Sequence, residues 1–258
     1  MNPIITLVAV LVLAAITLGI VLALKLEHPW LQPWAIARAV VQLGILSVIL
    51  NGVISDGRWV AVFLAVMVIA ATWVIFRRLQ LKSRYLPFIV GTVAVSSVVP
   101  LTVVFVVGAI DFSPRYLLAV GGIIIGNAMT VSTLMGRTLG STYLAQRDEM
   151  EAWLSLGATP RRSALRAVRF AASTALIPST DQTRTTGIVT LPGAFVGAVF
   201  AGASPLEAAQ FQVIVLAAIL AAGSLTVASF TWIFGAPALL PLDEQPLGGS
   251  RATVHAAR

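Results

Sequence analysis

The chain has 258 residues, 58% of them hydrophobic and 10% charged, with a mean hydropathy of +0.95, where an ordinary soluble domain carries roughly 25% charged residues. This excludes a soluble globular enzyme and a disordered chain, and the net charge of +7, which on a soluble protein would point to nucleic acid, must first be read as a membrane-topology signal. Cysteine is absent, which removes disulfides, thiolate metal sites and cysteine nucleophiles together.

Apolar runs of about 20 residues recur along the whole length, each long enough to cross a ~30 Å hydrocarbon core as a helix. Strands of a β-barrel would alternate over ~10 residues instead. The predicted fold class is therefore all-α, a polytopic transmembrane bundle of about seven spans forming one domain over residues 1–258. The spans are Ile4–Leu24, Ala35–Asn51, Trp59–Phe76, Pro87–Val107, Tyr116–Met135, Thr185–Gly202 and Ala208–Trp232.

No Lys or Arg precedes the first span and Lys25 follows it, which argues against a cleaved signal peptide and for an exported N-terminus. Lys25, Arg38, the group from Arg77 to Arg84, the seven arginines from Arg137 to Arg184, Arg251 and Arg258 then fall on one face, with only Arg58 and Arg115 on the other. That sorting predicts an inner (plasma) membrane protein with its N-terminus outside and C-terminus cytoplasmic, and it accounts for the positive charge without nucleic acid. Trp30, Trp34, Trp59, Trp73 and Trp232 stand near span ends as interfacial anchors against the lipid bilayer.

In the second span Gln42 lies one turn past Arg38, and in the fifth Gly122-x-x-x-Gly126 is followed by Asn127, Met129 and Thr130. The glycine pair permits close helix approach, as does Gly193-x-x-x-Gly197. The polar residues are candidates for a translocation pathway, although a lone amide in a span more often makes an interhelical hydrogen bond. No Asp or Glu falls in the middle of a drawn span, which weighs against a proton- or sodium-coupled carrier. With neither His28 nor His255 in a span, an intramembrane hydrolase or zinc site lacks its base and its ligands.

Residues 136–184 read as one cytoplasmic segment. Within it, Arg147 to Leu156 is helical, Gly157 ends the helix with φ > 0, and Thr159-Pro160 supplies an N-cap followed by proline at the first helical position. On the helix that follows, Leu165, Val168, Ala172 and Leu176 share a face, with Arg162, Arg166 and Arg169 beside it, which suits a membrane surface or an acidic partner groove. Downstream, Leu191-Pro192-Gly193 predicts a helix kinked or broken within the membrane. The tail from 236 to 258 is predicted to be disordered.

Glu151-Ala152-Trp153 followed by Gly157 resembles the Glu-Ala-Ala-x-x-x-Gly start of the coupling loop in many ABC permeases. More broadly, Arg38-Ala-Val-Val-Gln42, Gly126-Asn-Ala-Met129, Leu154-Ser-Leu-Gly-Ala-Thr-Pro160, Ala175-Leu-Ile-Pro178, Thr186-Gly-Ile-Val-Thr-Leu-Pro-Gly193 and Phe200-Ala-Gly202 followed by Pro205 resemble the FetB-type permeases, a family implicated in bacterial iron export that includes the plant aluminium-sensitivity permease. The resemblance implies a transport subunit and not an enzyme. It would pair as two copies with a cytoplasmic ATP-binding subunit that carries ATP and Mg, while this chain binds no cofactor.

Coupling would fall to Glu151, Ala152, Leu156, Gly157, Thr159, Pro160 and Arg162. The pathway and its hinge would fall to Gln42, Asn127, Met129, Thr130, Leu191, Pro192 and Gly193. The implied cargo is metal ions, iron among them, or a related small solute. The Met-Met pair such permeases carry after Leu-Pro-Gly is Ala194-Phe195 here, so residues that contact metal stay unassigned. Two other classes stand beside this one: a non-transporting membrane scaffold or sensor whose basic helix binds lipid or a signalling protein, and a secondary carrier.

Overall fold

The computed structural model describes residues 3–53 and 56–237, and it divides the chain into two compact units, Met1–Asp56 and Gly57–Arg258. The first unit is a helical hairpin, α1 (Pro3–Ala23) on α2 (Leu31–Val53). Lys25 and His28 take positive φ at the turn. Leu11, Ile16, Ile20, Val41 and Ile45 are all exposed, a surface that water would not tolerate but hydrocarbon does.

The second unit contains α3 (Gly57–Leu79), a 3-10 turn (Ser83–Tyr85), α4 (Leu86–Val106), α5 (Pro114–Ala145), α6 (Arg147–Ser155), α7 (Pro160–Ser163), α8 (Leu165–Thr185), α9 (Gly193–Phe200) and α10 (Pro205–Phe234). Helix α5 is its axis and touches α3, α4, α8 and α10. It starts cleanly because Ser113 caps it, the hydroxyl accepting from the Tyr116 N–H at 3.2 Å, with Pro114 at the first helical position. Helix α10 opens on a reciprocal capping box between Ser204 and Glu207.

Two hydrogen bonds set α5 and α10 parallel. The Asn127 amide donates to the Ile219 carbonyl at 3.1 Å, and the Tyr143 hydroxyl donates to the Phe234 carbonyl at 2.8 Å. The two bonds lie 16 residues apart along α5 and 15 along α10, so the helices keep step. Helix α8 runs the other way. Its Arg166 reaches back to Glu149 at 3.1 Å, and its Ser179 meets Asn127 at 2.8 Å.

Buried side chains form two clusters. One joins Ile75, Leu79, Val93, Met135, Leu139 and Phe230, and the other joins Leu101, Val120, Ile124, Val215 and Ile219. Lipid tails are as apolar as these residues, so association rests on close packing more than on escape from water. Glycines allow it, and the pairs the sequence spacing picked out contribute only in part: a Cβ on Gly122 would lie 3.5 Å from Met67. A Cβ on Gly126, Gly193 or Gly197 would meet nothing within 4 Å. Gly136 instead lies against the buried Leu79, and a Cβ on Gly223 would come 3.1 Å from Leu176.

Among the described residues six helices are long and apolar enough to cross a membrane, covering the drawn spans except Thr185–Gly202. That stretch is not one helix. Helix α8 ends at Thr185, the chain turns with Gly187 at φ +84, and helix resumes only at Gly193, after Pro192, which has no N–H to donate. The boundary drawn at Gly136 does not interrupt the backbone either, since α5 continues through it to Ala145. The tail, apart from its first two residues, lies outside the described residues.

Replacing Gly136 with alanine should lower the melting temperature in detergent by the equivalent of about 1–3 kcal/mol, because the added Cβ would overlap the buried Leu79 side chain. Gly197→Ala, whose Cβ points into open space, should leave it unchanged. Equal melting temperatures for the two variants would contradict this packing.

Candidate functional site

Helices α5 and α8 are held together at mid-length and part beside that contact to form a groove of about 290 Å³. Ile123, Gly126, Asn127 and Thr130 line it from α5, where their spacing of three and four residues puts them on one face. Ala175, Pro178, Ser179 and Gln182 line it from α8 by the same periodicity, and Ile219 of α10 forms the floor.

Asn127 holds the wall together. Its Oδ1 accepts from the Ser179 hydroxyl at 2.8 Å while its Nδ2 donates to the Ile219 carbonyl at 3.1 Å, so one side chain ties three helices. A carboxamide has a second N–H and a second lone pair to spare. The Thr130 hydroxyl is engaged locally with the Gly126 carbonyl at 3.0 Å. The polar lining is thus amide and hydroxyl, without a carboxylate, imidazole or thiol. Among the described residues no three His, Asp or Glu side chains come together as a metal site would need. Neutral oxygens and amides offer a passing ion or solute weak, exchangeable contacts.

The second feature is the elbow at the Ala145 end of the bundle. Helix α6 runs from Arg147 to Ser155, Gly157 takes φ +83, and Thr159 caps α7 by accepting from the Arg162 N–H, with Pro160 in the first turn. Met150, 1% exposed, fixes α6 to the bundle and shares its cluster with Ala164, Ala167 and Val168. Trp153 and Leu156 point outward, with Leu156 81% exposed. Glu151 pairs with Arg147 at 2.9 Å along the same helix, and Ala152 and Arg162 are exposed beside it.

Of the pathway candidates, Asn127 and Thr130 line the groove. Met129 points elsewhere on α5 and packs against the larger apolar cluster. Gln42 belongs to the other unit, exposed on α2. Leu191, Pro192 and Gly193 form the break between α8 and α9, and none of the three lines the groove.

Ser179 and Gln182 also line the groove, and hydropathy does not single them out because it averages over a helix. Their signal was the polar spacing around Pro178. The helix face expected from Leu165 also shifts: the buried side of α8 is Ala167, Val168, Ala171, Ala175 and Ser179. Finally, Asp181 stands on α8 two residues beyond Ser179, close to the level of Asn127. It lies outside the drawn spans and outside the six helices long and apolar enough to cross a membrane, none of which is α8.

A profile of the family described as "Uncharacterised protein family (UPF0014)" matches residues 4–237. The chain is 32% identical over 231 residues to the "Probable iron export permease protein FetB" of Escherichia coli K12, covering 87% of each chain. It is 31% identical to the "UPF0014 membrane protein STAR2" of Oryza sativa subsp. japonica, over 85% of this chain and 77% of that one. Against the "Protein ALUMINUM SENSITIVE 3" of Arabidopsis thaliana the identity is 30%, over 86% and 81%. No solved structure matches the chain significantly.

If Asn127 joins the helices as described, Asn127→Ala should cost about 0.6–2 kcal/mol in detergent unfolding. Ser179→Ala should cost less, and the double variant should fall short of the sum of the singles. Strict additivity would show that the two side chains do not interact.

Proposed function

The chain belongs to the UPF0014 family, and from that premise we propose that it is the membrane-spanning permease subunit of an ATP-driven ABC transporter, exporting metal ions such as iron or a related small solute. The kinship with the iron export permease runs over 87% of both chains, which supports carrying the transport role across. In this reading the chain hydrolyses nothing and binds no cofactor, and ATP and Mg belong to a cytoplasmic partner. Two permease copies sit in the inner membrane with their N-termini outside.

The observation that carries the ATPase partnership is the elbow. A short helix fastened to the bundle by one buried methionine, with a tryptophan and a leucine turned outward, has the form of a docking element. Exposed aromatic and aliphatic anchors of this kind supply most of the energy at protein interfaces. The turn is fixed by chemistry: φ +83 at residue 157 admits glycine without strain and excludes proline, and Thr159 and Pro160 restart the helix.

Movement of α6 would reach the groove through α8. Met150 packs in the cluster that contains Ala164, Ala167 and Val168, so a push on the elbow displaces the base of α8. The Glu149–Arg166 pair lies on the surface and steers this contact more than it strengthens it. Further along the same helix, Ser179 and Gln182 form one wall of the groove. Neutral oxygen contacts there suit release as well as entry, which transport requires.

Asp181 gives the secondary-carrier reading its one foothold, since a carboxylate near the middle of the bundle is what ion coupling uses. Efflux from proteoliposomes separates the two. Transport that needs an ATP-binding subunit and withstands an uncoupler supports the ABC reading, and the reverse pattern overturns it.

The double variant Trp153→Ser/Leu156→Ser should lose about tenfold or more of its co-purifying ATP-binding subunit. Its melting temperature should stay within the range of ordinary surface substitutions, about ±0.5 kcal/mol. Undiminished co-purification, together with undiminished iron efflux, would remove the elbow from the coupling path.

A further inference from the structure

We infer that Arg78 of α3 and Arg137 of α5 form one oxyanion site below the groove, suited to a phosphate group. The inference goes beyond the permease reading and needs only the membrane location, so it stands or falls independently of an ATP-binding partner.

The packing of α3 on α5 brings the two arginines together. Gly121 lies against Leu64 and Gly136 against Leu79. These contacts are 15 residues apart on each helix, so α3 and α5 run parallel and in step. Arg78 precedes Leu79 by one residue and Arg137 follows Gly136 by one, which leaves them within about 3 Å of the same height.

They also share a side of that contact. Arg78 is 11 residues, about three turns, past Met67, which lies against Gly122 of α5. Arg137 is seven residues past Thr130 and 11 past Gly126, on the stripe of α5 that lines the groove. That stripe borders the Gly122 face, so both positions open on the same side. Their height is the edge of the membrane: from Tyr116 to Arg137 is 21 residues, about 30 Å, the thickness of the hydrocarbon core.

Both arginines are exposed, and among the described residues neither has an ion-pair or hydrogen-bond partner. Asp148, Glu149 and Glu151 stand beyond the end of α5, which lies about 12 Å past Arg137. The two glutamates already hold Arg166 and Arg147. In the first unit Asp56 precedes the opposite end of α3, 22 residues from Arg78, which leaves Glu27 as the one described acid there that could compete. Two like charges at one height repel each other and gain by sharing an anion. The guanidinium fork matches phosphate oxygens in bidentate, charge-assisted bonds, and headgroup phosphates lie at this depth.

The test uses the full chain, purified in neutral detergent with phosphatidylcholine. It is titrated with dioleoylphosphatidylglycerol and, separately, with inorganic phosphate at constant ionic strength, and the rise in melting temperature gives a half-saturating concentration. Arg78→Gln and Arg137→Gln should each raise that concentration about fivefold, and the double variant should abolish the saturable rise. Arg77→Gln, turned about 100° away on the same helix, should change it less than about twofold. Lysine at position 78 or 137, which keeps the charge without the fork, should recover part of what glutamine loses. Equal melting temperatures in phosphatidylcholine alone separate lost binding from misfolding. A saturable rise with phosphatidylglycerol alone assigns the site to a lipid headgroup, and one with inorganic phosphate as well assigns it to soluble phosphate groups too. No saturable rise with either probe, or equal losses in Arg77→Gln and Arg78→Gln, overturns the inference. A rise that appears only after Glu27→Gln also overturns it, because the pair would then be occupied by that carboxylate.

Discussion

Asn127 engages two helices at once, and much of the second unit's geometry follows from that. Its amide donates to a backbone carbonyl of α10 and its oxygen accepts from a hydroxyl of α8. A carboxamide left unpaired in hydrocarbon is costly, so the three helices stay where both bonds are made. This fixes the register of α8 against α5 and α10. Gly223 completes the junction, because a side chain there would press on Leu176 and crowd the Asn127 amide.

The junction also separates a rigid side from an open one. Toward α3, α4 and α10, α5 is packed through two apolar clusters with few gaps. Toward α8 it is joined by one polar contact and a strip of alanines, and a groove remains beside them. Alanine packing is close but shallow, with little buried area per residue, so α8 is held by close approach more than by large side chains.

How much of this the amino-acid sequence revealed depended on how local the cause was. The elbow was legible to the residue, since Gly157, Thr159 and Pro160 act through their own backbone preferences. Six long helices were legible because their outward faces are as apolar as their inward ones, so averaging over a window loses nothing. The same averaging hid α8, whose inner face is alanine and whose outer face is polar. Its place in the bundle is set by Ser179 meeting a residue 52 positions away, a contact no local pattern encodes. The glycine pairs show a related effect: spacing says that two glycines share a face, but only the partner helix decides which is approached, and Gly122 lies against Met67 while Gly126 faces open space.

Pro178 joins the two halves of the mechanism. It has no N–H, so the Thr174 carbonyl loses its intrahelical donor, and α8 is weakened between the stretch that bears on the elbow and the stretch that lines the groove. Below it, Ala164, Ala167 and Val168 share a cluster with Met150 of α6. Above it, Ser179 is tied to Asn127 and resists. In the permease reading proposed above, a displacement entering at α6 would concentrate as bending at residue 178, on the wall of the groove. The weak point of the helix therefore falls on the wall of the groove itself, where a bend changes the shape of the space between α5 and α8.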